Sequence, residues 1–325
     1  MNHHERLEAT IAREAVDRPA VALWRHFPVD DQSPGSLAEA TVSFQKDYDF
    51  DLVKVTPASS FSVRDWGAMD EWRGAAEGTR EYTRRVIQDP EDWGELSVLD
   101  PTKGSLGAQL ECLSMIVKEI GEDVPVIQTV FSPLAQAKNL VGADKLSIHL
   151  RRYPEQLSAG LRTIAQSIQR FVEAVKETGA AGIFYAVQHA QYGLFAEEEY
   201  EVFGRQFDFQ ALEPAPEFRF NMLHLHGEQV MFDCFIDYPV AIINWHDRES
   251  PPTLAEASQK FPGAVCGGLR RLETMVLGSP AEVRDEAEDA FQQTNGRGMI
   301  LGTGCVMPTI VPRGNIFAAR LSVEK

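Results

Sequence analysis

The stretch that decides the fold is FRFNMLHLH at residues 218–226, together with PVAIINW at residues 239–245. Each is a short run of strand length in which apolar residues do not alternate strictly with polar ones. Runs of this kind are typical of parallel strands that are buried on both faces. The two runs therefore predict two strands of a parallel sheet.

Six further runs of the same kind flank this pair, and helical segments separate most of them. The predicted strands, in chain order, are Val21–Trp24, Leu52–Val55, Pro125–Phe131, Ala181–Gln188, Phe218–His226, Pro239–Trp245, Ala264–Cys266 and Gly298–Gly302. Eight buried strands that alternate with helices predict one α/β domain over residues 1–325, a (β/α)8 barrel. The alternative is an open doubly wound sheet, which would carry a glycine-rich loop after strand one; this chain has none there.

Helices are predicted at residues 3–16, from Ser33-Pro34, over 144–177, near 196–210, over 279–294 and from Pro312. The long stretch after strand two has no strong strand signal, although it contains Trp66, Trp72 and Trp93. Loops that follow the strands of such a barrel lie at its catalytic end. We therefore expect an insertion at residues 57–100 to cover the barrel mouth, with Trp66 or Trp72 in the pocket.

Composition and charge exclude several classes of function. The chain has 31 Lys and Arg against 48 Asp and Glu, a net charge of −17. A field of that sign repels phosphate backbones, so we expect no nucleic-acid partner. No apolar run is long enough to span a membrane, and the N-terminus lacks the apolar core of a signal peptide. Four scattered cysteines without a CxxC pair favour a reducing, cytoplasmic location.

His224-Leu225-His226 is the sharpest local signal for chemistry. Residues i and i+2 of a strand share a face, so the two imidazoles can bind one metal ion. Cys305, after the last predicted strand, offers a thiolate, which favours zinc over Mg²⁺ or Ca²⁺. Three such ligands and an open fourth position are the pattern of catalytic zinc. The alternative is that no metal binds, with one histidine hydrogen-bonded in the core and the other exposed without a function.

Further candidates follow from the rule that catalytic groups lie at the C-terminal ends of the strands. Arg25 can clamp a substrate carboxylate, or pair with an ordinary protein carboxylate. His246 can serve as a general acid or base oriented by Asp247, or belong to a turn in which Asp247 caps a helix. The residues expected to bind substrate are Thr56, Trp66, Tyr185, Gln188 and Trp245. The chain has no Walker loop, GxSxG or HExxH motif, which excludes the easily recognised phosphoryl-transfer, α/β-hydrolase and zincin functions.

Four stretches together resemble the uroporphyrinogen decarboxylase superfamily, in order and spacing, over nearly the whole chain. They are RPAVALWRH at residues 18–26, GAAGIFYAVQ at 179–188, PVAIINWHD at 239–247 and GMILGTGCVMP at 298–308. The resemblance implies a (β/α)8 barrel. The superfamily contains decarboxylases of porphyrin synthesis. It also contains zinc-dependent methyltransferases, which move a methyl group from a methylated corrinoid to a thiol such as coenzyme M.

The chain departs from the decarboxylase pattern at three places. Those enzymes carry an RQAGRY-type motif after strand one, and here Arg25 matches its first Arg while Val29 stands at the second. Thr56 stands where they have an essential Asp after strand two. Thr303 replaces the His of their GHG-type turn after strand eight. These departures argue against decarboxylation of uroporphyrinogen.

The methyltransferase branch carries His-x-Cys-Gly after strand five and a Cys after strand eight. Here these positions read His224-Leu225-His226-Gly227 and Cys305, so one thiolate ligand has become an imidazole, which remains a competent zinc ligand. The loss of one negative charge should make the zinc a stronger Lewis acid. The resemblance thus implies zinc held by His224, His226 and Cys305.

The function that the resemblance implies is zinc-assisted methyl transfer between a corrinoid, supplied by a partner protein, and a small-molecule thiol. It is compatible with a homodimer. Two alternatives stay open. One is a decarboxylase or lyase that acts without metal on another carboxylated substrate, through Arg25 and His246. The other is a non-catalytic barrel that binds a tetrapyrrole or corrinoid.

Overall fold

The computed structural model describes residues 1–324, which fold around one parallel sheet and a short antiparallel hairpin. The strands are β1 Ala20–Val21, β2 Val53–Val55, β3 Met69–Glu71, β4 Glu81–Arg84, β5 Val126–Phe131, β6 Gly182–Val187, β7 Met222–Leu225, β8 Ile242–Trp245, β9 Ala264–Leu269 and β10 Met299–Thr303. All but β3 and β4 belong to the parallel sheet. The eight predicted strands are therefore confirmed, each within a few residues of its predicted bounds.

The parallel sheet curls into a barrel. Its strand order is β1-β10-β9-β8-β7-β6-β5-β2, so the first two strands of the chain lie at its two ends. Asp51 connects these ends: its backbone N–H donates to the Val21 carbonyl at 2.8 Å, and its carboxylate accepts from the Val21 N–H at 2.9 Å. Arg6 and Arg18 hold the same carboxylate at 2.6 and 2.7 Å. The predicted α/β barrel class is thus confirmed.

Helices surround the sheet. They are α1 His3–Ile11, α2 Pro34–Tyr48, α3 Gly104–Ile120, α4 Pro133–Val141, α5 Ala143–Arg152, α6 Pro154–Glu177, α7 Glu197–Tyr200, α8 Gln206–Ala211, α9 Leu254–Lys260, α10 Pro280–Thr294 and α11 Arg313–Leu321. A π-helical turn at residues 201–205 interrupts the helix predicted near 196–210. Helix α3 was not predicted. It begins after Lys103, whose side chain makes no capping hydrogen bond, so the sequence carries no N-terminal capping signal for this helix. None of the helices in residues 1–324 is both long and apolar enough to cross a membrane.

Side chains of each barrel strand alternate between two buried surroundings, the barrel interior and the layer between sheet and helices. In β6, Phe184 and Ala186 face the interior, whereas the Tyr185 hydroxyl reaches outward to Asp208 of α8 at 2.6 Å. In β8, Asn244 faces inward and donates to the carbonyls of Cys266 and Thr303, at 2.9 and 3.1 Å. This alternation decides which residues can reach a ligand.

The insertion after β2 forms the β3–β4 hairpin and lies at the C-terminal end of the barrel. Thr309, which follows β10, donates its N–H to the Ala76 carbonyl of the hairpin loop at 2.7 Å. Arg80 ties the hairpin to Asp31, after β1, at 3.3 Å. The predicted position of residues 57–100 is therefore confirmed. Trp93 is fully buried and donates its indole N–H to His149 at 2.9 Å.

Candidate metal centre

Four side chains from distant parts of the chain converge at the C-terminal end of the barrel, and we call them the metal-centre residues: His224, His226, His246 and Cys305. Their donor atoms all lie within 4.8 Å of one another. The Cys305 Sγ is 3.7 Å from His224 Nε2 and 3.5 Å from His226 Nδ1. The barrel thus brings together the three residues predicted to hold zinc, and it adds His246.

Strand register explains this convergence. β7 and β8 are parallel neighbours in which His224 lies beside Asn244, so the residues two positions further along, His226 and His246, are also side by side. Cys305 reaches them from the turn after β10. A Cβ atom at Gly304 would lie 2.7 Å from the His246 Cα, so only glycine lets this turn approach His246 so closely.

Hydrogen bonds orient two of the imidazoles. Asn244 Oδ1 lies 2.6 Å from His224 Nδ1, which makes Nδ1 the protonated nitrogen and leaves Nε2 free to bind a ligand. His246 Nδ1 lies 3.1 Å from the Glu249 carboxylate. The other nitrogen of His246, Nε2, is buried and has no hydrogen-bond partner among the described residues. His224 therefore presents Nε2 to the Cys305 sulfur, and His246 presents an unpaired nitrogen to the cluster.

The electrostatics of the cluster favour a thiolate. Burial alone would raise the pKa of the Cys305 thiol, but the imidazoles of His224 and His226 outweigh burial and hold this pKa well below its usual range. Burial lowers the pKa of His224, and the nearby Cys305 opposes this shift by raising it. A thiolate with neutral imidazoles is the donor set that zinc prefers, and the orphaned His246 Nε2 gives it a fourth donor. The residues therefore fit zinc.

A cavity of about 570 Å³ opens beside these residues. His224, His226 and Cys305 line it, whereas His246 lies behind them. The other walls come from interior-facing strand residues and from the insertion. They include Trp24, His26, Lys54, Thr56, Thr129, Phe131, Phe184, Ala186 and Gln188 on the strand side, and Glu77, Arg80, Glu81, Tyr82 and Arg85 on the hairpin side. Of the residues expected to bind substrate, Thr56 and Gln188 line this cavity.

The structure places several other predicted residues outside the cavity. Tyr185 and Trp245 point outward from their strands, and the Trp245 indole donates to the Pro252 carbonyl at 2.9 Å. Arg25 lies outside the cavity, with its guanidinium 5.4 Å from the centre of the Phe27 ring, because its neighbour His26 takes the inward position. Trp66 packs within the insertion and donates to the Ser97 carbonyl at 2.8 Å. Trp72 does not line the cavity either, and its indole donates to the Ala75 carbonyl at 3.3 Å.

Sequence reasoning missed the cations of the cavity. Lys54 lies in the middle of the apolar run of strand two, and a charged residue at a buried strand position is a signal that could have identified it. Its ammonium lies 4.5 Å from the centre of the Phe184 ring, and burial lowers its pKa to about 7. Lys138 and Arg85 carry no comparable signal, because the chain brings them together only in three dimensions.

The chain is similar to known proteins over nearly its whole length. The family model described as uroporphyrinogen decarboxylase (URO-D) matches residues 2–325. The methylcobamide:CoM methyltransferase MtbA of Methanosarcina acetivorans is 21% identical over 330 residues, which cover 96% of this chain and 94% of that protein.

Two solved structures share the fold. A methyltransferase from Methanosarcina mazei superposes with a TM-score of 0.83 at 18% identity, covering 100% of this chain and 98% of that chain. A B12-independent methionine synthase from Shewanella sp. W3-18-1, in complex with selenomethionine, gives a TM-score of 0.61 at 13% identity, covering 94% and 92%. At these identities the similarity establishes a common fold.

Proposed function

Because the chain belongs to the uroporphyrinogen decarboxylase family, we propose that it catalyses zinc-dependent methyl transfer from a corrinoid to a small-molecule thiol. The observation that carries the proposal is the convergence of Cys305 with three imidazoles beside a cavity of about 570 Å³. A cavity of that volume suits a small-molecule substrate. The corrinoid would be presented at the barrel mouth by a partner protein.

The position of each residue relative to the cavity indicates its role. His224, His226 and Cys305 face the cavity and would hold the metal; His246, on the far side, would supply a fourth donor that the acceptor thiol replaces. We prefer this role for His246 to that of a general base, because its side chain does not line the cavity. When bound here, zinc supplies a Lewis acid that lowers the pKa of the acceptor thiol, and the thiolate is the nucleophile.

Other residues of the chain orient the metal-centre side chains and line the space for the acceptor. Asn244 fixes the ring of His224, and the Gly304 turn presents Cys305 to the cavity. Thr56 and Gln188 line the same space and can position the acceptor. In the overall reaction a carbon–sulfur bond forms and the carbon–cobalt bond breaks. The bonding electron pair stays on cobalt, and the thiol proton leaves to solvent.

Decarboxylation of uroporphyrinogen is disfavoured by the positions that depart from the decarboxylase pattern. Thr303 is fully buried and donates its hydroxyl to the Cys305 carbonyl, so it cannot replace a histidine as proton donor to a substrate. Val29 is 69% exposed at the second arginine position. A metal-free carboxy-lyase on another substrate is the second candidate, favoured by the cations of the cavity.

The experiment that separates these two functions is metal analysis combined with a methyl-transfer assay on the full chain. We expect about one zinc per chain. We also expect methylation of a thiol by free methylcobalamin, measured as the loss of the methyl–cobalt absorbance. Activity should disappear on chelation and return with added zinc. A metal-free protein that demethylates no cobalamin but releases CO₂ from a carboxylated substrate would refute methyl transfer.

A further inference from the structure

We propose that Arg85 and Lys138 form an oxyanion subsite, which binds the carboxylate or sulfonate group of the small molecule in the cavity. That this molecule is a thiol acceptor rests on the proposed function, but the subsite itself rests on charge and contacts alone. It lies between the end of the insertion hairpin and helix α4. The cavity around it carries a surplus of positive charge.

Five cationic side chains line the cavity: Lys54, Arg80, Arg85, Lys138 and Arg271. Two of them are neutralised by the protein. Arg80 pairs with Asp31 and Asp70, each at 3.3 Å, and Arg271 pairs with Glu77. Within residues 1–324, the other three have no carboxylate oxygen within 4.0 Å. In a chain of net charge −17, unpaired cations gathered in one cavity indicate an anionic ligand.

The Arg85 guanidinium is held in place without losing its charge. Its Nη1 donates to the backbone carbonyls of Lys138 and Asn139, at 3.2 and 2.8 Å. Its Cζ lies 4.7 Å from the centre of the Tyr82 ring. Nη2 makes no hydrogen bond with any described residue, so this donor is free. Peptide carbonyls and a ring face orient the group but leave the full positive charge to a ligand.

Lys138 accepts a hydrogen bond from this guanidinium at its backbone carbonyl, and both residues line the cavity. Within residues 1–324, neither side chain forms a salt bridge with a carboxylate. Burial, and then the nearby charge of Arg85, lowers the pKa of Lys138 to about 8. Two cations held together in a partly buried place cost free energy unless an anion bridges them. The Tyr82 hydroxyl lines the same cavity, is buried and has no hydrogen-bond partner in the described chain, so it can donate a further hydrogen bond to that anion.

Lys54 lies in a different part of the cavity. Its ammonium faces Phe184, whose other neighbour is the ring of His224 at 5.2 Å, so Lys54 accompanies the metal-centre residues. Arg85 follows the insertion hairpin and Lys138 lies in α4, and both line the same cavity as His224, His226 and Cys305. A small molecule that carries both a sulfur atom and an oxyanion would therefore meet a matching group for each.

Pairs of thiols that differ in charge test the subsite. Methyl transfer to 3-mercaptopropionate and to 2-mercaptoethanesulfonate is compared with transfer to the neutral 2-mercaptoethanol, with methylcobalamin as donor. We expect the KM of the wild type to be about tenfold or more lower for one anionic thiol than for the neutral thiol. Comparison of the two anionic thiols shows whether the subsite prefers a carboxylate or a sulfonate. Lys138→Gln and Arg85→Gln should abolish this preference through the KM of the anionic thiol, with little change for 2-mercaptoethanol.

Matched variants make the result specific. Lys138→Arg keeps the charge and should keep most of the preference. Lys118→Gln, an exposed lysine of α3, and Arg73→Gln, an exposed arginine of the same hairpin, should behave as wild type. Equal preference in the wild type and in Lys138→Gln would overturn the subsite.

A readout without turnover separates this proposal from the methyl-transfer function. Ligand-observed NMR measures binding of propionate and ethanesulfonate, which have no sulfur nucleophile, to the zinc-loaded and chelated protein. Binding that Lys138→Gln weakens about tenfold, in a protein that transfers no methyl group, would sustain the subsite and refute the function. Absence of any anion binding in a protein that does methylate neutral thiols would refute the subsite alone.

Discussion

Two buried polar clusters lie on opposite sides of the barrel wall. Inside the barrel are the metal-centre residues. Outside it, between the sheet and α8, the Asp208 carboxylate accepts hydrogen bonds from three tyrosine hydroxyls. These are Tyr185 and Tyr200, both at 2.6 Å, and Tyr238 at 3.0 Å. We call this outer set the tyrosine cluster.

The two clusters differ in how their polar atoms are satisfied. In the tyrosine cluster three donors meet one carboxylate, and none of its members lines the main cavity. In the metal centre, the nitrogen and sulfur atoms that could bind a metal converge on one another. His246 Nε2 has no hydrogen-bond partner within residues 1–324, and the cavity is adjacent. A buried polar cluster that satisfies itself stabilises the fold, whereas one that leaves converging lone pairs is suited to bind a ligand.

The largest effect is expected from Cys305→Ser. A serine hydroxyl does not form the anionic sulfur ligand, so zinc affinity should fall by more than about 100-fold and methyl transfer should be lost. Zinc content by plasma mass spectrometry and the methylcobalamin assay measure both effects. Cys234→Ser, at a partly exposed cysteine outside the cavity, is the matched control. Full zinc occupancy in Cys305→Ser would remove the distinction between the two clusters.

The next effect concerns the outer cluster. Asp208→Ala leaves three buried tyrosine hydroxyls without their acceptor, and each unsatisfied group costs about 1–3 kcal/mol. We expect the free energy of unfolding to fall by roughly 3 kcal/mol or more, measured by urea denaturation. Zinc stoichiometry should stay unchanged. Loss of zinc without loss of stability would show that the tyrosine cluster supports the metal centre rather than the fold.

The pH dependence of stability offers a finer test of the same carboxylate. Burial raises the pKa of Asp208 to about 6. Between the ordinary aspartate pKa of about 4 and this value, the unfolded chain releases the proton and the folded chain keeps it, so raising the pH favours unfolding. The contribution of Asp208 is therefore present at low pH and is lost as pH rises through about 6, at up to roughly 1.4 kcal/mol per pH unit.

Asp208→Asn isolates this contribution, because asparagine does not titrate. The stability of the wild type relative to Asp208→Asn should decrease from pH 4.5 to pH 7, in urea denaturation series that share one buffer system. A constant difference over this range would mean that the tyrosine hydroxyls offset the effect of burial on the carboxylate.

The smallest effect is expected at Arg25, one residue from a cavity wall. Its guanidinium packs on Phe27 outside the cavity, whereas His26 lines it. Arg25→Ala should therefore change kcat/KM for methyl transfer by less than about twofold, since no contact to the substrate is lost. A 100-fold loss of kcat/KM would mean that the arginine turns inward when substrate binds. Arg25 would then belong to the inner face of the barrel.

Much of the fold and the metal centre followed from the sequence. Eight short apolar runs separated by helices predicted a parallel barrel, because strands buried on both faces have this pattern. In such a barrel the strand ends meet, so His224, His226 and Cys305 had to lie near one another. The spacing of the two histidines, i and i+2 on a strand, already placed both on one face.

Only the tertiary structure decided which face is the inside. Tyr185, Trp245 and Arg25 lie at the predicted strands and strand ends, yet they point away from the cavity. A strand that is buried on both faces has no polar alternation to reveal its phase, and a shift of one residue exchanges the two faces. The sequence determined the barrel, but the phase of each strand depends on packing against its neighbours.

The oxyanion subsite illustrates the same limit over a longer range. Arg85 and Lys138 are 53 residues apart and belong to a hairpin and a helix that share no sequence pattern. Their pairing results from the fold of the insertion over the barrel mouth, where Arg85 donates to the backbone of α4. Local residue patterns therefore predicted the barrel and the candidate metal ligands, because strand geometry is local. The cations of the cavity were decided by tertiary packing, because nothing in the neighbouring sequence specifies it.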